Sequence, residues 1–445
     1  MDFTKNVFIT FITRLLQVVF RLLGGIIAAR ALGPAPLGMF ALIQMVTGIA
    51  TTLGSLGVSD SIVYFAGKLK EKIPRIAVNV LLLGLIQGFL LMLLILLCLP
   101  TLQARFESLQ NITQTLWIMA LASIPLQLLM VYFNSLIRGQ NKIGLFNRNN
   151  FLIAIIHFLL IVIFLIPLNM GLSGRVLAFT VGSGLGAVVT FWGVKSFYRQ
   201  GLKPSLPLAG DMLRFGSIIH ATTVIQFLNY RLDIFLLGYF CTAMEVGHYY
   251  VAVTLGEMLW YLPNAIGTVL FPILAGGKNE NSRLTTTSAR NNLLIIFVLS
   301  ALVFVGAELI IKICFSSAYL PAIIPLQFLL PGIVGFSLAK ILSPHLISKG
   351  YARIVAAIAL ISLVVNISLN LVLIPQYHAA GAAIASSVSY ITGILIMITV
   401  YSRITGSSLK DILLVNRKDL KGYLMFTRDN ILKLKELISK KKLKD

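Results

Sequence analysis

Long apolar runs, cut by short polar segments, dominate the chain. Crossing a bilayer takes about 20 mainly apolar residues, and on that measure the pattern predicts twelve spanning helices. They lie near 7–32, 38–65, 76–100, 113–137, 149–168, 174–194, 213–239, 246–275, 291–313, 322–347, 353–374 and 380–402. Unpaired backbone groups in hydrocarbon are too costly for open strands, and the alternating pattern of a membrane barrel is absent. The expected fold is therefore all-α and integral to the membrane. The first run, Val7 to Leu32, outlasts a signal-peptide core and carries Arg14 and Arg21, so no cleaved leader is expected.

Composition agrees with lipid as the main solvent. Hydrophobic residues make up 58% of the chain, charged residues 12%, and mean hydropathy is +0.91. A soluble domain carries roughly 25% charged residues, so soluble, disordered, collagen-like and disulfide-rich secreted classes are excluded. The net charge of +22 resembles a nucleic-acid signature until it is mapped. The basic residues sit between apolar runs and in the C-terminal tail, which suits a membrane surface and not nucleic acid.

That distribution also orients the chain. With the N-terminus in the cytoplasm, the inner segments hold 29 Lys and Arg, and the outer ones hold only Arg30, Arg105, Arg175 and Lys312. Both termini are expected in the cytoplasm, in an inner (plasma) membrane crossed many times. The outer loops are short, and the first, Ala31 to Leu37, lacks the acidic pair of polyprenol-dependent glycosyltransferases. Neither GxxxxGK[ST], HExxH, CxxC nor a Ser-nucleophile elbow occurs. No catalytic residue, cofactor or metal is expected; His157, His220 and His345 have no ligand spacing, and Cys98, Cys241 and Cys314 read as buried thiols.

The second half repeats the first at an offset of about 205–210 residues. Gly38-Met39-Phe40 answers Gly247-His248-Tyr249, and Ala66-Gly67 answers Ala275-Gly276. Leu165-Ile166-Pro167 answers Leu373-Ile374-Pro375, and Gly174 answers Gly381. The reading is two six-helix repeats, 1–200 and 201–404, related by a pseudo-two-fold along the membrane normal, with a substrate path between them. A basic cytoplasmic tail follows at 405–445. Within it Ile431, Leu434, Leu437 and Ile438 form an apolar helical stripe ahead of Lys440-Lys441-Lys442, as a helix lying on an anionic leaflet would.

Arg30-Ala31-Leu32-Gly33-Pro34 followed by Gly38-Met39-Phe40 resembles the start of the polysaccharide flippases of the multidrug/oligosaccharidyl-lipid/polysaccharide exporter superfamily. Asn229-Tyr230-Arg231-Leu232-Asp233, Leu237-Gly238, Gly247-x-Tyr249, Glu257 and Phe271-Pro272 extend the likeness over roughly residues 1–405. The resemblance implies a lipid-linked oligosaccharide of the O-antigen type as cargo.

Charges at bilayer depth cost at least about 2.5–3.5 kcal/mol near a helix centre, so each needs a reason. Arg14 and Arg21 share a face of the first helix with Gln17, Gly24 and Ala28, and Arg231 lies in the first helix of the second repeat. Guanidinium groups around a cavity suit a pyrophosphate, because their planar fork donates two hydrogen bonds and keeps its charge. Lys340, near the inner end of its helix, either joins them or snorkels to the interface. Gln226, Asn229 and Asp233 form a polar stripe; Asp60, Asp233 and Glu257 are coupling carboxylates or counter-charges.

The sequence thus predicts a non-enzymatic flippase. By alternating access it would carry a polyprenyl-pyrophosphate-linked oligosaccharide from the inner to the outer leaflet for polysaccharide biosynthesis, as a monomeric transport unit beside glycan-assembly proteins. Two alternatives stay open: a cation-coupled drug or metabolite exporter of the same superfamily, and a membrane polysaccharide polymerase or ligase. The preponderance of Arg over carboxylate favours anionic cargo, and the short outer loops disfavour the enzyme.

Overall fold

A computed structural model describes residues 3–198, 203–276 and 282–414. The tail stripe at 431–438 and the side chain of Arg14 lie outside the described residues. The rest is helical, without a strand among the described residues: α1 (Phe3–Leu32), α2 (Pro34–Gly54), α3 (Val58–Lys68), α4 (Ile73–Arg105), α5 (Glu107–Gln110), α6 (Gln114–Leu121), α7 (Ser123–Gly139), α8 (Ile143–Leu165), α9 (Gly171–Val194), α10 (Leu206–Phe240), α11 (Ala243–Met258), α12 (Tyr261–Gly276), α13 (Ser282–Cys314), α14 (Ile323–Ser348), α15 (Ala352–Thr405) and α16 (Leu409–Leu413).

Among the described residues, nine helical stretches are long and apolar enough to cross a membrane. Large apolar side chains stay exposed along them, including Phe89, Leu93 and Leu97 on α4 and Leu302, Val305 and Leu309 on α13. Such an apolar exterior is what lipid requires and water forbids. The chain is a multi-pass membrane protein.

Several predicted spans are broken where one continuous helix was expected. The 38–65 run splits into α2 and α3 around Leu56 and Gly57, both with positive φ. The 246–275 run splits at Leu259 and Trp260. In α15 the helix kinks at His378 (φ 51°, ψ −129°), three residues after Pro375, which cannot donate to the helical ladder. That kink separates the 353–374 and 380–402 runs.

By packing, the chain forms two compact units. The first takes the described part of Met1–Leu255 with Gly306–Leu329 and Leu363–Ser386; the second takes that of Gly256–Val305, Leu330–Ser362 and Ser387–Asp445. In the first unit, Gly84 closes on Leu129 and Tyr132, Gly88 on Pro125, Gly182 on His157 and Gly186 on Met130. Both small-residue stripes are thus spent on helix contacts inside the fold. The second unit packs Leu270, Leu338, Ile341, Leu346, Ile398 and Tyr401 together. Two of its buried polar pairs tie helices together: Thr285 Oγ1 lies 2.7 Å from His345 Nδ1, and Asn292 donates to Ser337 Oγ at 3.0 Å.

The Arg30–Pro34 motif has a mechanical meaning in the first unit. Gly33 adopts φ 76° to turn the chain, and Pro34 opens α2, where its missing N–H costs nothing. Arg30 reaches the last carbonyls of α13, donating to Cys314 O at 3.0 Å and also to Ile313 O. A cation at a helix C-terminus satisfies orphan carbonyls and offsets the dipole. Tyr319 Oη adds a bond to Ala29 O at 2.9 Å.

Candidate functional site

The best-defined polar site is built around Asp233, buried to 3% exposure on α10. Its Oδ2 accepts from Tyr249 Oη on α11 at 2.5 Å and from Ser386 Oγ on α15 at 3.1 Å; its Oδ1 accepts from Ile234 N–H at 2.8 Å. Asn366 donates to Ser386 Oγ at 3.3 Å, and Asn370 donates to Asn366 Oδ1 at 2.9 Å. Asn366, Asn370, Ser386 and Tyr249 are all fully buried. A carboxylate is thereby placed among hydroxyl and amide oxygens contributed by three helices, with Arg231 in electrostatic range. Such an oxygen-rich set can hold a proton or a hard monovalent cation.

The sequence pointed to Asp233 and Asn229 (also buried) and to the Gly247-x-Tyr249 motif, but not to Ser386, Asn366 or Asn370. The available signal was the i, i+4 spacing of Asn366 and Asn370 inside an apolar run. The Ser386-Ser387 pair carried none, because small hydroxyl residues are common at membrane helix contacts.

The arginines are distributed. Arg21 is exposed on α1 and Gln17 half-buried, whereas Gly24 packs on Ile161 of α8 and Ala28 is buried. The expected polar stripe therefore divides into a packed end and an open, charged end. Arg231 is half-buried on α10. Arg175, counted from sequence among the outer-side charges, lies in the second turn of α9. Its guanidinium stacks 3.8 Å from the centre of the Phe40 ring, and its Nε is buried without a hydrogen-bond partner. Tyr250, close enough to Arg175 to act on its charge, donates to Gln44 Oε1 at 3.3 Å. A guanidinium with an open donor against an aromatic face is equipped to bind an anion. Sequence reading missed it because Arg175 falls at the edge of an apolar run.

Asp60 is explained by the helix break. It lies in the first turn of α3, where the exposed N–H groups and the positive dipole end favour a carboxylate. In the second unit, half-buried Lys340 sits with Nζ 4.7 Å from the Trp260 ring centre and 5.4 Å from that of Phe336, in electrostatic range of Glu257. The aromatic rings and Glu257 hold this ammonium.

Residues 27–324 match the family described as polysaccharide biosynthesis protein. The chain belongs to the polysaccharide biosynthesis protein family. The resemblance read from the Arg30–Pro34 motif is thereby borne out. A relative from Haloferax volcanii, named "Probable low-salt glycan biosynthesis flippase Agl15", is 23% identical to this chain over 401 residues, covering 88% of this chain and 81% of that one. In fold, the chain is similar to the lipid II flippase MurJ in an inward closed conformation (TM-score 0.76, 15% identity, 90% of this chain and 88% of that one). It is also similar to an inward-facing MATE family multidrug transporter of the MOP superfamily (TM-score 0.68, 17% identity, 88% and 96%). The MATE transporter VcmN of Vibrio cholerae matches at TM-score 0.64 and 17% identity, over 92% and 98%.

Proposed function

We propose that this family member is a flippase. It moves a polyprenyl-pyrophosphate-linked oligosaccharide from the inner to the outer leaflet of the plasma membrane by alternating access, without covalent chemistry. The observation that carries this reading is the family match over residues 27–324, joined to a glycan-biosynthesis flippase aligned with 88% of the chain. In this reading the twelve runs are twelve spans in two six-helix lobes, 1–200 and 201–404, with both termini and the 405–445 tail in the cytoplasm. The kink at His378, which separates two of the runs, supports the count. Gly174 and Gly381 support the duplication, since each closes against a carbonyl near the end of the helical segment before it, Phe164 O and Leu373 O respectively. The transport unit is a single chain that receives cargo from glycan-assembly proteins.

Arg14, Arg21 and Arg231 neutralise the pyrophosphate during passage, with Gln17 and Asn229 adding hydrogen bonds. Glu257 is the counter-charge of Lys340. Asp233, bonded to hydroxyls, exchanges a proton or Na⁺ as the protein changes state. Asp60 is a dipole-stabilised counter-charge. The second reading, a cation-coupled drug exporter, is favoured by the buried Asp233 and by the MATE likeness in fold. Reconstituted protein offered both lipid-linked oligosaccharide and a cationic drug separates them: the flippase moves the glycan lipid and leaves the drug.

A further inference from the structure

The kink in α15 gathers three side chains that are scattered in sequence. Cys241 directly follows α10 and is buried, Glu245 lies in the first turn of α11, and His378 occupies the kink itself. His378 Nδ1 stands 3.1 Å from Glu245 Oε2 and 3.5 Å from Cys241 Sγ, and the three ligand atoms all lie within 4.8 Å of one another. Glu245 Oε2 is sealed from solvent, with the His378 imidazole 3.1 Å away and the Cys241 thiol beside its carboxylate. The positive φ of His378, a conformation that few non-glycine residues adopt, accompanies an imidazole placed beside the other two groups.

We propose that Cys241, Glu245 and His378 form a binding site for a zinc-class divalent ion. A tetrahedral ion with bonds of about 2.0–2.3 Å spaces its ligand atoms about 3.3–3.7 Å apart. The two separations made by His378, 3.1 and 3.5 Å, bracket the lower part of that range, and side-chain rotations would bring the third ligand atom into place. One thiolate, one imidazole and one carboxylate suit Zn²⁺; Mg²⁺ and Ca²⁺ want oxygen alone, and Cu⁺ wants more sulfur. Three protein ligands leave a fourth position for water, and the His378 side chain, 56% exposed, gives access to it. The bound ion fastens the α10–α11 corner to the α15 kink, joining the three helices that also build the Asp233 cluster. On the orientation given by the basic segments, the site faces the outer side. It does not depend on which cargo is carried.

The test uses the full-length protein in detergent, stripped by chelator and titrated with Zn²⁺, or with Co²⁺ as an optical probe. One equivalent should bind per chain, with a thiolate-to-cobalt charge-transfer absorption and a rise in unfolding temperature that chelator reverses. The C98S/C314S double variant should keep the absorption; C241S should lose it, and H378Q and E245Q should each weaken binding at least tenfold. Should C241S not fold, Zn²⁺ protection of Cys241 from maleimide in the C98S/C314S protein gives the same reading. No stoichiometric Zn²⁺ on the wild-type chain, equal binding of Mg²⁺, or binding unchanged in H378Q and E245Q would overturn the assignment.

Discussion

Gly38 and Gly247, matched positions in the sequence repeat, meet where α2 crosses α11. A Cβ on Gly38 would overlap the Ala243 carbonyl and stand 2.7 Å from Gly247 N; one on Gly247 would overlap Pro34 O. Backbone-to-backbone contact at this closeness is open only to glycine. Gly38→Ala and Gly247→Ala should each destabilise the protein by about 1–3 kcal/mol. Gly25→Ala, whose added carbon meets nothing within 4 Å, should be neutral or slightly stabilising. Thermal unfolding in detergent measures the difference, and equal stability of all three variants would contradict the crossing.

The Asp233 cluster makes a separable prediction. Tyr249→Phe removes one hydrogen bond to a carboxylate, a loss of about 1.5–3 kcal/mol, while the ring stays in place. Asp233→Asn keeps shape and polarity but can neither release a proton nor attract a cation. It should insert and fold normally yet lower glycan-lipid transport more than tenfold. Normal complementation of a flippase-null strain by Asp233→Asn would remove this residue from the mechanism.

The extent to which such sites are legible in sequence differs by their physics. Spans are one-dimensional, so the hydropathy pattern located the helical runs and the motif at Arg30–Pro34 located the family. Breaks within runs were less legible, because Leu56 at positive φ follows from tertiary packing, whereas the kink at His378 falls between two runs that the pattern had separated. Asp233 stood out as an acid in an apolar run, but its partners Tyr249 and Ser386 lie 16 and 153 residues away. Arg175 was passed over as a binding residue for a related reason: a charge near a run's end reads as an interfacial cation until its stacking on Phe40 is seen.

Arginine geometry is the next test of the cargo site. Arg21→Ala and Arg231→Ala should each abolish transport at normal expression and insertion. Arg21→Lys should restore only part of it, since an ammonium lacks the two-pronged donor set. Arg175→Lys should likewise reduce transport, and it adds a readout on the stacked Phe40 ring. Full complementation by both alanine variants would contradict an anion path through these residues.

The driving force follows from the charge of the cargo. A pyrophosphate with about two negative charges, pushed outward by an inside-negative potential of 100 mV, gains about 4–5 kcal/mol. That corresponds to a bias of more than about a thousandfold. A potential alone should therefore drive net flipping, with the Asp233 cluster exchanging its cation locally. Flipping that ignores potential and requires an imposed proton or sodium gradient would make Asp233 the energy-coupling site.

The most direct measurement reconstitutes the purified protein into vesicles containing lipid-linked oligosaccharide in one leaflet and follows its arrival in the other with a membrane-impermeant glycan-binding probe. Protein-dependent arrival is predicted, accelerated by an imposed potential and lost in Arg21→Ala. Arrival no faster than in protein-free vesicles, under a potential or under proton or sodium gradients, would contradict the flippase account.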